Sequence, residues 1–322
     1  MAHVLITGGC GFFGAWILRK LFDAGHTPTV WDLELNPKRW LMILTPDEVA
    51  KVAFASVRVD DPDAVKAAML EANPDAVIHL AGLQVPTCKK DPIAGARVNV
   101  IGTLAVFEAA RALPRKPGLA YASSAAVFGS DADYDHQAVG DASWPRPGTH
   151  YGAFKLCNEL TAKVFWTDHG LSSAGFRPLT VYGPGRDVGL TSFPTRAVAA
   201  ALLGQNFEIP FSGPTCYTHC AEVAGYFVAA ALAAKREGAP VYTVGGEVAD
   251  SKTFVEKLSR HVPEAKALVR VSGGDLPIAS HLDDKPLRQA FPQVKRIGLD
   301  EGIGMTVEIF KKLKARGELA AG

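Results

Sequence analysis

The 322-residue chain has no excess charge of either sign: 34 Lys and Arg stand against 33 Asp and Glu. No run of like charge breaks that balance, which argues against a general nucleic-acid or membrane-surface binder. Cysteine is sparse as well. Cys10, Cys88, Cys157, Cys216 and Cys220 are odd in number, irregular in spacing and without a CxxC pair. This speaks against a disulfide framework and reads as reduced thiols of a cytosolic chain. Cys216, His219 and Cys220 lie close together, but a metal site needs more ligands than this cluster offers, so no metal is expected. No apolar run reaches the length that spans a bilayer. The start, His3-Val4-Leu5-Ile6-Thr7, has no basic leader and no cleavage pattern of a signal peptide. Together these absences predict a cytoplasmic protein with neither nucleic acid nor membrane as partner. Internal repeats and low-complexity segments are absent too.

What is present is ordinary for a globular enzyme, 48% hydrophobic and 21% charged. The length allows one large or two unequal domains around a continuous core. Short apolar runs at Val4–Thr7, Thr29–Trp31, Val52–Val59, Ala76–Leu80 and Leu119–Ala122 suit strands buried on both faces. Helical patterns lie between them, at Phe12–Ala24, Asp63–Ala72 and Ala94–Leu113, with Pro62 as an entry signal for the second. The alternation predicts an α/β fold, a Rossmann-like doubly wound parallel sheet. After Tyr182 the pattern loosens and Gly and Pro become frequent. Residues 1–182, with a later stretch at about 218–250 returning to them, read as the cofactor-binding domain. Residues 183–217 and 251–322 read as a smaller, partly interleaved C-terminal lobe that roofs the crevice and takes the substrate.

Residues 7–14 read Thr-Gly-Gly-Cys-Gly-Phe-Phe-Gly, directly after a strand and before a helix. Gly8, Gly11 and Gly14 suit a tight turn whose backbone approaches a pyrophosphate at a helix N-terminus. The second strand ends at Asp32, where a carboxylate can accept from the adenosine ribose hydroxyls and repel a 2′-phosphate, so NAD is preferred to NADP. Lys38 and Arg39 follow closely and could hold a phosphate. Further on, Tyr151 and Lys155 are four apart on a helical stretch and share one face. A free tyrosine, with a pKa of about 10, is a poor base at neutral pH. A neighbouring ammonium favours the phenolate. Tyr151 can then take the hydroxyl proton of a secondary alcohol, while Ser124, at a strand end, stabilises charge on the substrate oxygen.

Several motifs now stand in order: the glycine loop, His79-Leu80-Ala81-Gly82, Asn99 in Val-Asn-Val-Ile-Gly-Thr, Ser123-Ser124-Ala-Ala-Val-Phe-Gly129, Tyr151-Gly-Ala-Phe-Lys155, and Arg177-Pro178 leading to Val-Tyr-Gly-Pro-Gly185. In these the chain resembles the extended short-chain dehydrogenase/reductase family, also called the NAD-dependent epimerase/dehydratase family. The resemblance spans essentially the whole chain and is firm to about Gly185. It implies NAD held by Gly8, Gly11, Phe12, Phe13, Gly14, Asp32, Leu80, Ala81, Gly82, Tyr151 and Lys155, with Pro178 near the carboxamide. Lys155 would bond the nicotinamide ribose. Asn99 belongs to this shell as a brace of the strand ends, and His79 as a packed strand residue. The third strand of relatives often ends in an Asp near adenine; Arg58, Val59 and Asp60 occupy that place, with Val59 taken as the contact and the register left open.

Departures from the family concern the substrate. Members acting on sugar nucleotides usually carry an Asn where this chain has Thr180, and often an Arg in the stretch that here reads Thr215-Cys216-Tyr217. The acidic pair that follows in many members reads Ala221-Glu222. A diphosphate needs charge-assisted donors, so a smaller polyol, sugar or sugar acid becomes credible. Gln84, Thr87, Ser124, Thr180, Arg186, Thr191 and Ser192 are the candidate substrate contacts; Arg196 is another cation within reach of an anion. Two readings within the family remain: a dehydrogenase that releases NADH, and an epimerase that returns the hydride to the other face of a sugar or sugar nucleotide. A dehydratase is disfavoured because Ala125 and Ala126 follow Ser124, where an acid/base pair is needed. A non-catalytic NAD sensor is the third reading, though Ser124, Tyr151 and Lys155 are intact. The resemblance also implies a homodimer through helices around 99–111 and 151–169, with Phe107, Leu156 and Phe165 as apolar candidates.

Overall fold

Strands β1 (His3–Thr7) and β4 (Ala76–His79) show why the central sheet forms: Val4, Leu5, Ile6, Val77 and Ile78 are fully buried. Consecutive buried apolar residues need cover on both faces, which only a sheet between two helical layers supplies. The structure, a computed structural model, describes residues 1–234 and 237–320. The expected stretches 218–250 and 251–322 thus include residues 235, 236, 321 and 322, which lie outside the described ones. The other strands are β2 (Thr27–Asp32), β3 (Ala53–Ser56), β5 (Gly118–Ala122), β6 (Ala174–Arg177), β7 (Thr180–Tyr182), β8 (Phe207–Ile209), β9 (Thr215–His219), β10 (Val241–Thr243), β11 (Glu247–Ala249) and β12 (Val269–Val271).

Seven of them form one sheet in the order β10-β6-β5-β4-β1-β2-β3, with every pairing parallel. This is the expected doubly wound, Rossmann-like architecture. The chain winds outward from β1 to β3, then crosses back to β4, so a crevice opens at the carboxyl ends of β1 and β4. Helices Phe12–Asp23 and Cys220–Ala231 cover one face with Trp16, Ile17, Leu21, Val223 and Phe227. Helices Pro62–Ala72, Gly102–Arg111 and His150–His169 cover the other with Val65, Met69, Val106, Phe107 and Phe165. Full burial of each such side chain stabilises by about 1.5–3 kcal/mol before entropy is counted. A three-stranded sheet, β11-β9-β7, and a parallel pair, β12-β8, lie over a separate apolar cluster built on Tyr182, Phe193, Tyr217, Phe254 and Ile303.

One expectation needs correction. By length and composition the continuous helical run Pro92–Arg111 is apolar enough to cross a membrane. The glycines Gly95 and Gly102 and the polar or charged Arg97, Asn99, Thr103 and Glu108 kept it from reading as a single apolar stretch. Half of the span is buried inside the protein, where its last part packs against Pro62–Ala72 and His150–His169.

Candidate active site

Gly8 leaves β1 in the left-handed region, φ +68°, and its backbone N–H donates to Trp31 O at 2.7 Å. A Cβ on Gly8 would lie 2.7 Å from Ala81 N, so the two strand-end loops meet at the crevice only because no side chain intervenes. A Cβ on Gly14 would lie 2.0 Å from Gly9 O, so the first turn of the helix rests directly on the loop. Gly11 caps that helix without a side-chain bond and without an acidic residue in the first turn, which leaves its N-terminal field for an anion. Behind the loop, the buried Trp40 indole donates to Gly9 O at 2.8 Å, and Trp16 donates to Pro184 O at 3.0 Å. Asp32 accepts from Cys10 N at 3.0 Å and from Leu33 N at 2.9 Å, which aims its half-exposed carboxylate beside the loop. These features fit a dinucleotide: a cradle that a Cβ would fill, an uncapped helix start and a carboxylate at the end of β2.

On the sequence side of a phosphate, Arg39 is engaged elsewhere: its guanidinium meets Asp187 at 2.8 and 3.0 Å and donates to Gly185 O at 3.1 Å. Lys38 is exposed. β3 ends at Ser56, three residues before Val59. Val59 is nevertheless buried, packed where a Cβ on Gly102 would lie 2.8 Å from it, while Arg58 turns outward to Asp60.

Leu80 continues β4 by donating to Thr7 O at 3.0 Å. Below it a buried relay runs from Thr7 to Asn99. Thr103 donates its hydroxyl to Asn99 O at 2.7 Å, so His79 Nε2 donates to Thr103 at 3.0 Å and His79 Nδ1 accepts from Thr7 at 2.6 Å. Burial pulls His79 down to about 3, so it stays neutral, and its part is packing rather than proton transfer. Asn99 sits in a π-helical turn, Arg97–Ile101. Its amide clamps Leu83, accepting from Leu83 N at 2.7 Å and donating to Leu83 O at 2.9 Å; its own carbonyl also accepts from Asn158 at 2.8 Å. Asn99 thus braces the loop carrying Ala81 and Gly82. A Cβ on Gly82 would meet Asn99 Oδ1 at 3.0 Å and Lys155 Nζ at 3.5 Å.

Thr149 caps the helix His150–His169 by accepting from Gly152 N, which sets Tyr151 in the first turn and Lys155 one turn later. A Cβ on Gly152 would lie 2.0 Å from Ala126 O, and that close approach brings Tyr151 against the Ser124 turn. Ser124 Oγ accepts from Ala126 N at 3.1 Å and lies near enough to the Tyr151 hydroxyl to favour its ionised form. Lys155, 5% exposed, has its ammonium 5.6 Å from the Tyr151 ring centroid and donates to Ala122 O at 2.6 Å. Burial lowers Lys155 to about 8, against Cys88 and Glu159, so it is mainly cationic at neutral pH. Burial raises the Tyr151 phenol, while the Ser124 bond and the Arg186 charge pull it down. Pro178 presents its carbonyl to Ala125 N at 3.0 Å beside this group.

The substrate candidates divide. Arg186 approaches Tyr151, stacks 5.7 Å from the Phe12 ring centroid and donates to Thr191 at 3.3 Å. Gln84 borders the same recess, since a Cβ on Gly189 would lie 2.7 Å from Gln84 Oε1 and 3.1 Å from Arg186 Nη2. Thr87 is exposed on the helix Val85–Lys90, and Ser192 is buried where it precedes the helix Phe193–Leu203. Thr180 corrects the sequence reading: it is fully buried and its hydroxyl is already paired with Thr215 at 2.7 Å inside the three-stranded sheet. Sequence reasoning missed Glu159. It is 2% exposed, accepts from Ser123 at 2.5 Å and holds Arg177 bidentately at 2.8 and 2.6 Å. Its signal was its place four residues after Lys155, on the same helix face. Trp40 and the Arg39–Asp187 latch had no local signal.

A family model described as the NAD dependent epimerase/dehydratase family matches residues 4–245. A UDP-glucose 4-epimerase of Mycolicibacterium smegmatis is 26% identical over 323 residues, covering 96% of this chain and 98% of that protein. A D-erythronate dehydrogenase of Cupriavidus necator is 30% identical over 165 residues, 49% of this chain and 48% of that one. The crystal structure of a Thermus thermophilus UDP-glucose 4-epimerase complexed with NAD superposes with a TM-score of 0.79 at 25% identity, over 96% of this chain and 99% of that one. With a dinucleotide cradle at the switch point and a family match across three quarters of its length, the chain belongs to the NAD-dependent epimerase/dehydratase family, and it is an NAD-dependent epimerase or dehydrogenase of the extended short-chain type.

Proposed function

We propose that the protein is a dehydrogenase that oxidises a secondary alcohol of a sugar, sugar acid or polyol. The observation that carries this is the meeting of Ser124, Tyr151 and Lys155 beside the glycine loop. Ser124 holds the substrate hydroxyl, and Tyr151 takes its proton as the carbinol C–H bond breaks. Lys155 favours the phenolate through its charge and is kept in place by Ala122 O. The glycine loop and Asp32 hold the dinucleotide, with Leu80, Ala81 and Gly82 along it and Asn99 bracing them. NAD, when bound, supplies the hydride acceptor. In this reading residues 1–182 and about 218–250 serve the cofactor, and 183–217 with 251–322 serve the substrate. Gln84, Arg186 and Thr191 supply the substrate contacts nearest Tyr151.

An epimerase is the second reading, favoured by the near full-length similarity to UDP-glucose 4-epimerases. The stretch Thr215–Tyr217 speaks against a nucleotide diphosphate there: it is buried and has no cation. The amount of dinucleotide carried by freshly purified protein separates the two. A stoichiometric load supports hydride return within one cycle; an empty site that binds NAD reversibly supports a dehydrogenase. Tyr151→Phe lowers kcat by about 10²–10⁴-fold with NAD affinity retained; unchanged turnover would remove Tyr151 as the base. We also place the protein in the cytoplasm, as a homodimer through the helix His150–His169.

A further inference from the structure

Arg186 differs from the other cations described around the crevice. Its Nε is buried without a hydrogen-bond partner, and its described polar contact is the long one to Thr191 at 3.3 Å. The neighbouring Asp187 does not hydrogen-bond to it, because both Asp187 oxygens are bonded to Arg39. Burial lowers the Arg186 pKa, as expected for a guanidinium withdrawn from water. Arg186 is half-buried, its Nε is out of reach of water, and no described carboxylate hydrogen-bonds to it, which leaves its fork for a charge that arrives with a ligand. The fork of a guanidinium suits a planar carboxylate, which it binds through two parallel hydrogen bonds.

Three neighbours say where that ligand lies. The Arg186 charge reaches Tyr151, the Phe12 ring backs the guanidinium, and Gln84 faces it across Gly189. Gly189 has φ +104° and no side chain, so the space between Gln84 Oε1 and Arg186 Nη2 stays open. The recess therefore offers a cation and a side-chain amide next to the hydroxyl that takes the proton. The uncapped helix start at Gly11 can serve a cofactor pyrophosphate without Arg186, which leaves Arg186 for the substrate.

We infer that the substrate is a short hydroxy acid, an aldonate or a close relative, whose carboxylate binds Arg186 while its carbinol meets Tyr151 and Ser124. This rests on the dehydrogenase reading and narrows it. In the reaction the carbinol carbon loses hydride to NAD and its hydroxyl proton to Tyr151; the carboxylate is unchanged and the product is a keto acid.

The test compares short-chain aldonates with the matching alditols, aldoses and UDP-glucose, by NADH formation and by calorimetry in the presence of NADH, for the wild type and Arg186→Met. NAD affinity is measured separately for both proteins. The expected result is selective turnover of aldonates, a fall in kcat/KM on the order of 100-fold in Arg186→Met, carried mainly by KM, and unchanged NAD affinity. Loss of NAD affinity in Arg186→Met equal to the loss for substrate would overturn the inference, because Arg186 would then hold the cofactor. Oxidation of alditols with aldonates neither bound nor turned over would also overturn it while leaving the dehydrogenase reading intact. Arg186-dependent aldonate binding without NADH formation would do the reverse, supporting the carboxylate site and removing the dehydrogenase.

Discussion

Glu159 ties the catalytic helix to two strands. Ser123 donates to one of its oxygens, Arg177 to both, and the neighbours of these residues, Ser124 and Pro178, face the crevice. Ser124, Tyr151 and Lys155 were legible because chemistry restricts residue type at a fixed spacing. The Glu159 network was half legible: helical spacing puts Glu159 on the Lys155 face, but its partners come from just after β5 and from the end of β6, 36 and 18 residues away. The unpaired state of Arg186 was not legible at all, since it depends on Asp187 choosing Arg39 across 148 residues. Because Glu159 balances an Arg177 that is itself 5% exposed, Glu159→Gln leaves a buried, uncompensated cation. The expected loss is about 3–5 kcal/mol of unfolding free energy, read as a lower urea midpoint at an unchanged slope. A loss within the scatter of repeated measurements would show that water reaches Arg177.

At the scale of elements, the apolar runs located the first five strands but misjudged some ends. Val52–Val59 read as one strand, yet pairing stops at Ser56. Val57 and Val59 are buried all the same, at 8% and 7% exposure, beneath neighbouring helices. Apolar content reports burial, and burial without a ladder looks identical in the sequence. Beyond β6 the strands of the smaller sheets have three to five residues, too few for periodicity to register. The glycine loop was legible as a motif, and the structure adds its tightest contact. Gly14→Ala would force the helix Phe12–Asp23 off the Gly9 carbonyl. The expected outcome is NAD affinity weaker by at least about tenfold, or about 1.4 kcal/mol, with the fold retained by circular dichroism. Wild-type affinity in that variant would mean that the loop does not carry the cofactor.

At the scale of the molecule, two of the apolar residues expected at a dimer contact are core residues. Phe107 and Phe165 lie 5.3 Å apart by ring centroid and are 0% and 6% exposed, packed with Tyr121 against the sheet. Their helical spacing could not distinguish the sheet-facing side from a second subunit. The outward side of the same helix instead carries Leu160 and Val164, each 54% exposed and four apart, with Leu156 beside them. For the homodimer proposed above, this is the face that must close. Leu160→Glu together with Val164→Glu is expected to sediment as a monomer at micromolar concentration while the wild type sediments as a dimer. A wild-type monomer under those conditions sinks the proposal.

The order of strands has a consequence for how such a chain can change. β6 and β10 lie side by side in the large sheet, whereas β7, β9 and β11, which fall between and after them in the chain, belong to the small one. No single cut leaves both sheets with all their strands. The two halves of the protein are therefore not interchangeable cassettes, and fusion at one junction cannot graft a new specificity onto the old cofactor site. Altered selectivity has to come by substitution in place, in segments such as 183–192 that run from β7 of the small sheet to the helix Phe193–Leu203.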